Sequence, residues 1–118
     1  MEFAQYRDAL GSELTTADHK RLELARALAT NPKLLLLDET MAGLNPAEKV
    51  HLLALLRRIR ERGMTLVVVE HDMKAVMTLC ERIILMHRGE KLAEGTPQQV
   101  ANNQQAIAAY LGEEYATA

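Results

Sequence analysis

Lys33-Leu34-Leu35-Leu36-Leu37-Asp38-Glu39 decides the fold of this 118-residue chain. Pro32 precedes the run and two acids close it. Four leucines bounded in this way read as a short strand buried on both faces, the pattern of a parallel sheet. Downstream, Thr65-Leu66-Val67-Val68-Val69 reads as a second buried strand, β-branched, ending at Glu70-His71. Ile83-Ile84-Leu85-Met86 reads as a third. Arg88-Gly89 then turns the chain into a short partner around Lys91-Leu92-Ala93-Glu94, ending at Gly95.

Helices fill the intervals. Thr15, with Asp18 three residues on, predicts a capping box, and Leu22, Ala25, Leu28 and Ala29 predict the apolar stripe of the helix it opens. Asn31-Pro32 stops that helix, because a residue before proline avoids helical geometry. Asn45-Pro46-x-Glu48 opens a second helix with a cap, a first-turn proline and an acid. Val50, Leu53, Leu56 and Ile59 predict its buried face, and Gly63 ends it. Asp72 to Cys80 predicts a short helix with Met73, Val76, Met77 and Cys80 inward. Thr96-Pro97-x-Gln99 caps another, and a last helix is expected over about residues 104–111, with fraying beyond. Strands alternating with helices across short connections give an α/β fold: a mainly parallel sheet, flanking helices and a short β-hairpin.

Composition bounds what such a domain does. One domain is the natural content of 118 residues, and 48% hydrophobic residues argue against wholesale disorder. A net charge of −2 leaves no field to attract nucleic acid in bulk, so no nucleic-acid partner is expected. Cys80 is the single cysteine, which excludes an internal disulfide and fits a reducing compartment. The apolar runs are far too short to span a bilayer, and Met1-Glu2-Phe3-Ala4 lacks the basic-then-apolar order of a signal peptide. With aromatics at 3%, the core must be aliphatic.

Ligands of parallel α/β sheets meet the carboxyl ends of the strands. Asp38, Glu39 and His71 all fall at such ends. One carboxylate can hold a hard cation through oxygen or water, and the other can orient or deprotonate a water. A histidine on the neighbouring strand can donate to an anionic oxygen. Together they suit phosphoryl transfer to water, where positioning and charge stabilisation dominate. Taken singly, each has a plainer reading: a solvated turn for Asp38-Glu39, a cap neighbour for His71, a helix cap for Thr15-Thr16.

The order and spacing of these pieces carry a resemblance. Leu14 to Pro46, LTTADHKRLELARALATNPKLLLLDETMAGLNP, resembles the second half of an ABC-transporter nucleotide-binding domain, a partial P-loop NTPase domain. Residues 14–18 stand where the family has its LSGGQ signature loop, in degenerate form. Residues 34–39 match the Walker B strand, 42–46 the D-loop, and His71 the switch histidine. Residues 95–114 are similar to the C-terminal tail of branched-chain amino-acid importer ATPases.

The resemblance implies roles. Asp38 would organise Mg2+, mostly through water, and Glu39 would polarise the attacking water. His71 would contact the γ-phosphate of ATP. Thr15, Thr16 and Ala17 would meet the γ-phosphate of ATP held by a partner domain, and Asn45 would touch that domain. Independently, a helix N-terminus favours an anion. The implied partners are a second nucleotide-binding subunit (identical or not), transmembrane permease subunits, and indirectly a periplasmic or extracellular substrate-binding protein. The implied location is the cytoplasmic face of the cell membrane, as a peripheral subunit.

The sequence departs from the family pattern in places. Thr16 and Ala17 replace both signature glycines, which is expected to loosen the backbone's approach to phosphate. Asp18 replaces a neutral amide and adds negative charge, unless it is pinned as the capping partner. Thr40 replaces the usual proline after the catalytic acid. No G-x-x-x-x-G-K-[ST] occurs, so the Walker A half is absent and the chain alone is expected to be inactive as an ATPase. Three functions therefore stand: part of an ATP-hydrolysing importer subunit, with branched-chain amino acids the cargo that the resemblance implies; a non-enzymatic fragment that only folds or self-associates through uncovered apolar surface; and an ABC-type ATPase of another system, such as DNA repair.

Overall fold

The computed structural model describes Asp8 and residues 10–109. It divides into two compact units, Met1–Ala75 and Val76–Ala118. In the first, a short 3-10 turn (Gly11–Glu13) leads to α1 (Thr16–Leu28), β1 (Leu34–Asp38), α2 (Pro46–Glu61) and β2 (Thr65–Val69). Helix α3 (Met73–Leu79) crosses from the first unit to the second. The second then holds β3 (Ile83–His87), β4 (Glu90–Gly95), α4 (Pro97–Ala101) and a helical run over 104–109. The expected final helix is thus present to residue 109, and its last two residues and the expected fraying lie outside the described residues.

The class is α/β, as the sequence predicts. Strands β1 and β2 pair in parallel, Leu34 opposite Thr65 through Asp38 opposite Val69. The parallel pairing stops there. Strand β3 pairs antiparallel with β4, because Arg88 and Gly89 (φ +50° and +80°) supply the two positive φ angles that a tight hairpin turn needs.

Burial corrects one expectation. Leu35 and Leu37 of β1 are buried, but Leu34 and Leu36 are exposed, Leu36 by 69%. Val67 and Val69 lie in register with Leu36 and Asp38 and are exposed too. Side chains alternate along a strand, so this is one uncovered apolar face that ends at Asp38. The opposite face meets the helices. Leu24 of α1, Leu35 and Leu37, and Leu52 and Leu56 of α2 line one cleft of about 190 Å3. Leu56 is completely buried.

Three helix faces differ from their expected positions. On α1, Leu24 is buried and Leu22 exposed; on α2, Leu52, Leu56 and Ile59 are buried and Val50 exposed. On α3 the buried residues are Ala75, Val76 and Leu79, with Met77 and Cys80 half-buried. In each case several apolar residues compete for one stripe, and the facing element chooses among them. Helix α1 also ends earlier than expected, at Leu28, and Asn31 takes φ +54° to redirect the chain into Pro32. The second unit's core is Val76, Ile83, Ala93, Val100 and Ala106.

The caps behave locally. Asn45 and Glu48 form a complete capping box, as do Thr96 and Gln99. At α1 the box takes a different form. The Thr15 hydroxyl accepts the Asp18 amide at 3.1 Å and donates to the Asp18 carboxylate at 2.9 Å.

Candidate functional site

The parallel ladder brings the first cluster together. Asp38 closes β1 and its side chain is exposed. The Glu39 amide donates to the Val69 carbonyl at 2.9 Å, so the ladder runs one residue past the strand. Glu39 then adopts φ +51°, in the left-handed region that a non-glycine residue rarely visits. This turns the chain out of the strand and into the loop that leads to α2. His71 follows β2, and its Nε2 lies 3.9 Å from Glu39 Oε1. That is too long for a hydrogen bond. Both side chains face solvent, His71 by 82% and Glu39 by 56%. The two candidate catalytic groups are therefore adjacent and accessible.

Two residues that sequence reasoning missed, Glu70 and Asp72, flank His71. Glu70 Oε2 accepts the Met41 amide at 3.0 Å. Asp72 Oδ2 pairs with Lys49 Nζ at 3.0 Å, and Asp72 Oδ1 accepts the Ala75 amide at 3.2 Å. The hydrogen bond from Lys49 and those from the start of α3 hold the Asp72 carboxyl below its usual value. A signal for Asp72 was present, an acid at the start of a helix. Glu70 had none, since its partner lies 29 residues away.

The second cluster sits at the N-termini of α1 and α2. Thr15 caps α1, and Thr16 and Ala17 form its first turn. Asp18 is only 9% exposed. Its pairing with the Thr15 hydroxyl makes it the capping partner, one of the two alternatives the sequence left open. Gly43 lies close by: a β-carbon there would stand 3.6 Å from the Thr16 methyl. Asn45 caps α2, accepting the Glu48 amide at 2.9 Å. A cleft of about 300 Å3 between the two helix starts is lined by Thr15, Ala17, Asp18, Arg21, Glu48 and His51, among others. The connection from Thr40 to Asn45 joins this cluster to the strand-end cluster.

Among the described residues, no three His, Cys, Asp or Glu side chains gather to hold a metal ion by themselves. The strand-end donor set is still chemically suited to a hard cation: carboxylate oxygen supplies part of a shell that water and phosphate oxygen complete. No described helix is long and apolar enough to cross a membrane.

The sequence profile of the branched-chain amino acid ATP-binding cassette transporter family matches residues 90–116. The high-affinity branched-chain amino acid transport ATP-binding protein BraF of Pseudomonas aeruginosa is 40% identical over 114 residues, which are 96% of this chain and 45% of that protein. The lipopolysaccharide export system ATP-binding protein LptB of Haemophilus influenzae is 38% identical over 109 residues, 92% of this chain and 45% of that protein. The crystal structure of a nucleotide-free ATP-binding cassette from an ABC transporter superposes with a TM-score of 0.79 at 26% identity, covering 87% of this chain and 42% of that one. The chain thus spans less than half the length of the relatives it matches. Its fold is that of part of an ABC-type ATP-binding cassette, and by sequence it resembles the ATP-binding subunits of branched-chain amino-acid transporters.

Proposed function

We propose that the chain is the hydrolytic, partner-facing part of an ATP-binding subunit that energises ABC-type import of branched-chain amino acids. The observation that carries this is the adjacency of Glu39 and His71 just past the carboxyl ends of two parallel strands, with Asp38 closing the first of them. ATP with Mg2+ supplies the transferable phosphoryl group and the charge that stabilises its transfer. The chain's own residues do the rest. Glu39, turned out of the strand by its left-handed backbone, orients and deprotonates a water. His71 donates to an anionic phosphate oxygen. Asp38 presents a carboxylate to the cation's water shell. Thr15, Thr16 and Ala17 offer the N-terminus of α1 to phosphate held by a second nucleotide-binding subunit, and Asn45 and its loop touch that subunit.

The uncovered face of β1 and β2 supports this reading. It exposes Leu34, Leu36, Val67 and Val69 and ends at Asp38. A segment bearing the phosphate-binding loop would cover it and arrive beside that carboxylate. The same face supports the second reading, a chain that only folds and self-associates. Between importer and exporter relatives, the match of residues 90–116 to the branched-chain family favours the importer. In that assembly the chain lies at the cytoplasmic face of the membrane, against permease subunits that receive substrate from a binding protein.

A chimera tests the proposal. Residues 14–118 replace the corresponding part of the Pseudomonas aeruginosa relative, and ATP turnover is measured. Turnover within about tenfold of the parent is expected. A folded chimera without turnover contradicts the assignment.

A further inference from the structure

The segment Glu70-His71-Asp72 alternates in what it does. His71 points into solvent, while Glu70 grips the connection that follows β1 and Asp72 grips the start of α2. Glu70 holds the Met41 amide, two residues past Glu39. Asp72 holds Lys49 in the first turns of α2, which Asn45 caps. Between these grips, the Glu39 amide is tied to the Val69 carbonyl. Three separate bonds therefore fasten the residues around His71 to the residues around Glu39.

We propose that Glu70 and Asp72 are positioning residues that clamp the His71 segment to the β1–α2 connection and to the start of α2, so that His71 and Glu39 hold one geometry. The physical need is clear. At 3.9 Å and mostly in solvent, the His71–Glu39 contact cannot fix its own geometry, because exposed pairs of this kind contribute little. Glu39 also occupies a strained backbone region, which persists only where its surroundings over-determine it. The Glu70–Met41 bond supplies that constraint two residues downstream. It has a second consequence. Met41 opens the loop that leads to Asn45, so a shift of that loop on contact with a partner is passed to His71 through Glu70.

This inference rests on the reading of Glu39 and His71 as the hydrolytic pair, but its test needs no nucleotide. Amide exchange and the His71 ring resonance are followed by NMR in the full 118-residue chain. Loss of one such bond corresponds to about tenfold in a local opening equilibrium. In Glu70→Ala, the Met41 amide is therefore expected to exchange about tenfold faster, with the His71 ring resonance displaced. Amides in the middle of α2 stay as protected as before, which separates a local clamp from general destabilisation. Glu70→Gln keeps an acceptor oxygen and restores both signals; Asp72→Asn displaces the His71 resonance and leaves Met41 protected. Unchanged Met41 exchange or an unmoved His71 resonance in Glu70→Ala overturns the clamp. Such a failure leaves the hydrolytic reading standing, since that reading is decided by turnover.

Discussion

Asp72 does two jobs that substitution can separate. Its Oδ1 accepts the Ala75 amide as a helix cap does, and its Oδ2 pairs with Lys49. Asp72→Ala removes both. The cap contributes about 1 kcal/mol. The ion pair is part-exposed on both sides and contributes about 0.5 kcal/mol. The expected loss at neutral pH is therefore about 1.5 kcal/mol, or roughly a 1 M fall in urea midpoint for a slope near 1.5 kcal/mol/M. Asp72→Asn keeps an oxygen for Ala75 and loses only the pair, so it costs about 0.5 kcal/mol. A cycle with Lys49→Met returns about the same coupling, and salt weakens it. The pH dependence has a definite sign. The hydrogen bonds from Lys49 and Ala75 hold the Asp72 carboxyl below its ordinary value of 3.8. Its contribution is therefore complete above 3.8 and is lost as pH falls through the lowered folded value. The gap between the parent and Asp72→Asn should close in that acid range. Urea unfolding from pH 7 downward reads it. Equal losses for the alanine and asparagine variants, or a gap that persists at the acid end, refute the division of labour.

Other outcomes follow from single features. Leu36 is the most exposed of the apolar residues on the bare face of the parallel pair, so Leu36→Lys should reduce self-association of the isolated chain, read by sedimentation velocity across a concentration series. A chain already monomeric at high concentration contradicts that use of the face. Among the described residues, the Thr40 hydroxyl is buried without a hydrogen-bond partner. Thr40→Val keeps the shape and removes the orphan, and should stabilise by about 1 kcal/mol in urea unfolding. A destabilised variant would show that the hydroxyl is engaged after all.

The legible parts of this fold were the local ones. Asn45-Pro46-x-Glu48 and Thr96-Pro97-x-Gln99 each complete a hydrogen-bonded box within four residues, so the letters alone name the helix start. Arg88-Gly89 is a two-residue turn with the same property. The strand run 34–38 was legible for composition, yet its burial was not. Four leucines are written for two covers, and the described residues provide one. Which apolar residue of a helix turns inward was hidden for a related reason. Val50 and Leu52 are equally apolar, and only the facing β1 selects Leu52.

In the candidate site, the placement of Asp38, Glu39 and His71 was legible because Asp38 ends one strand and Glu39 and His71 follow within two residues of strand ends. Their adjacency followed from the parallel register, which puts Asp38 opposite Val69. The left-handed backbone of Glu39 and the bond from Met41 to Glu70 were not legible, since both depend on partners far away in the chain. The capping form at Thr15 was half legible. The motif named the helix start, but the closing bond runs from the Thr15 hydroxyl to Asp18 and leaves that hydroxyl already engaged.

The central claim concerns Glu39, and single-turnover ATP hydrolysis measures it most directly. In the chimera with the Pseudomonas aeruginosa relative, Glu39→Gln keeps the shape of the side chain and removes its basicity. Loss of a general base lowers the rate by about 100-fold or more, with nucleotide still bound. The account predicts that drop. Hydrolysis at the unsubstituted rate in a folded, nucleotide-binding Glu39→Gln chimera would contradict it.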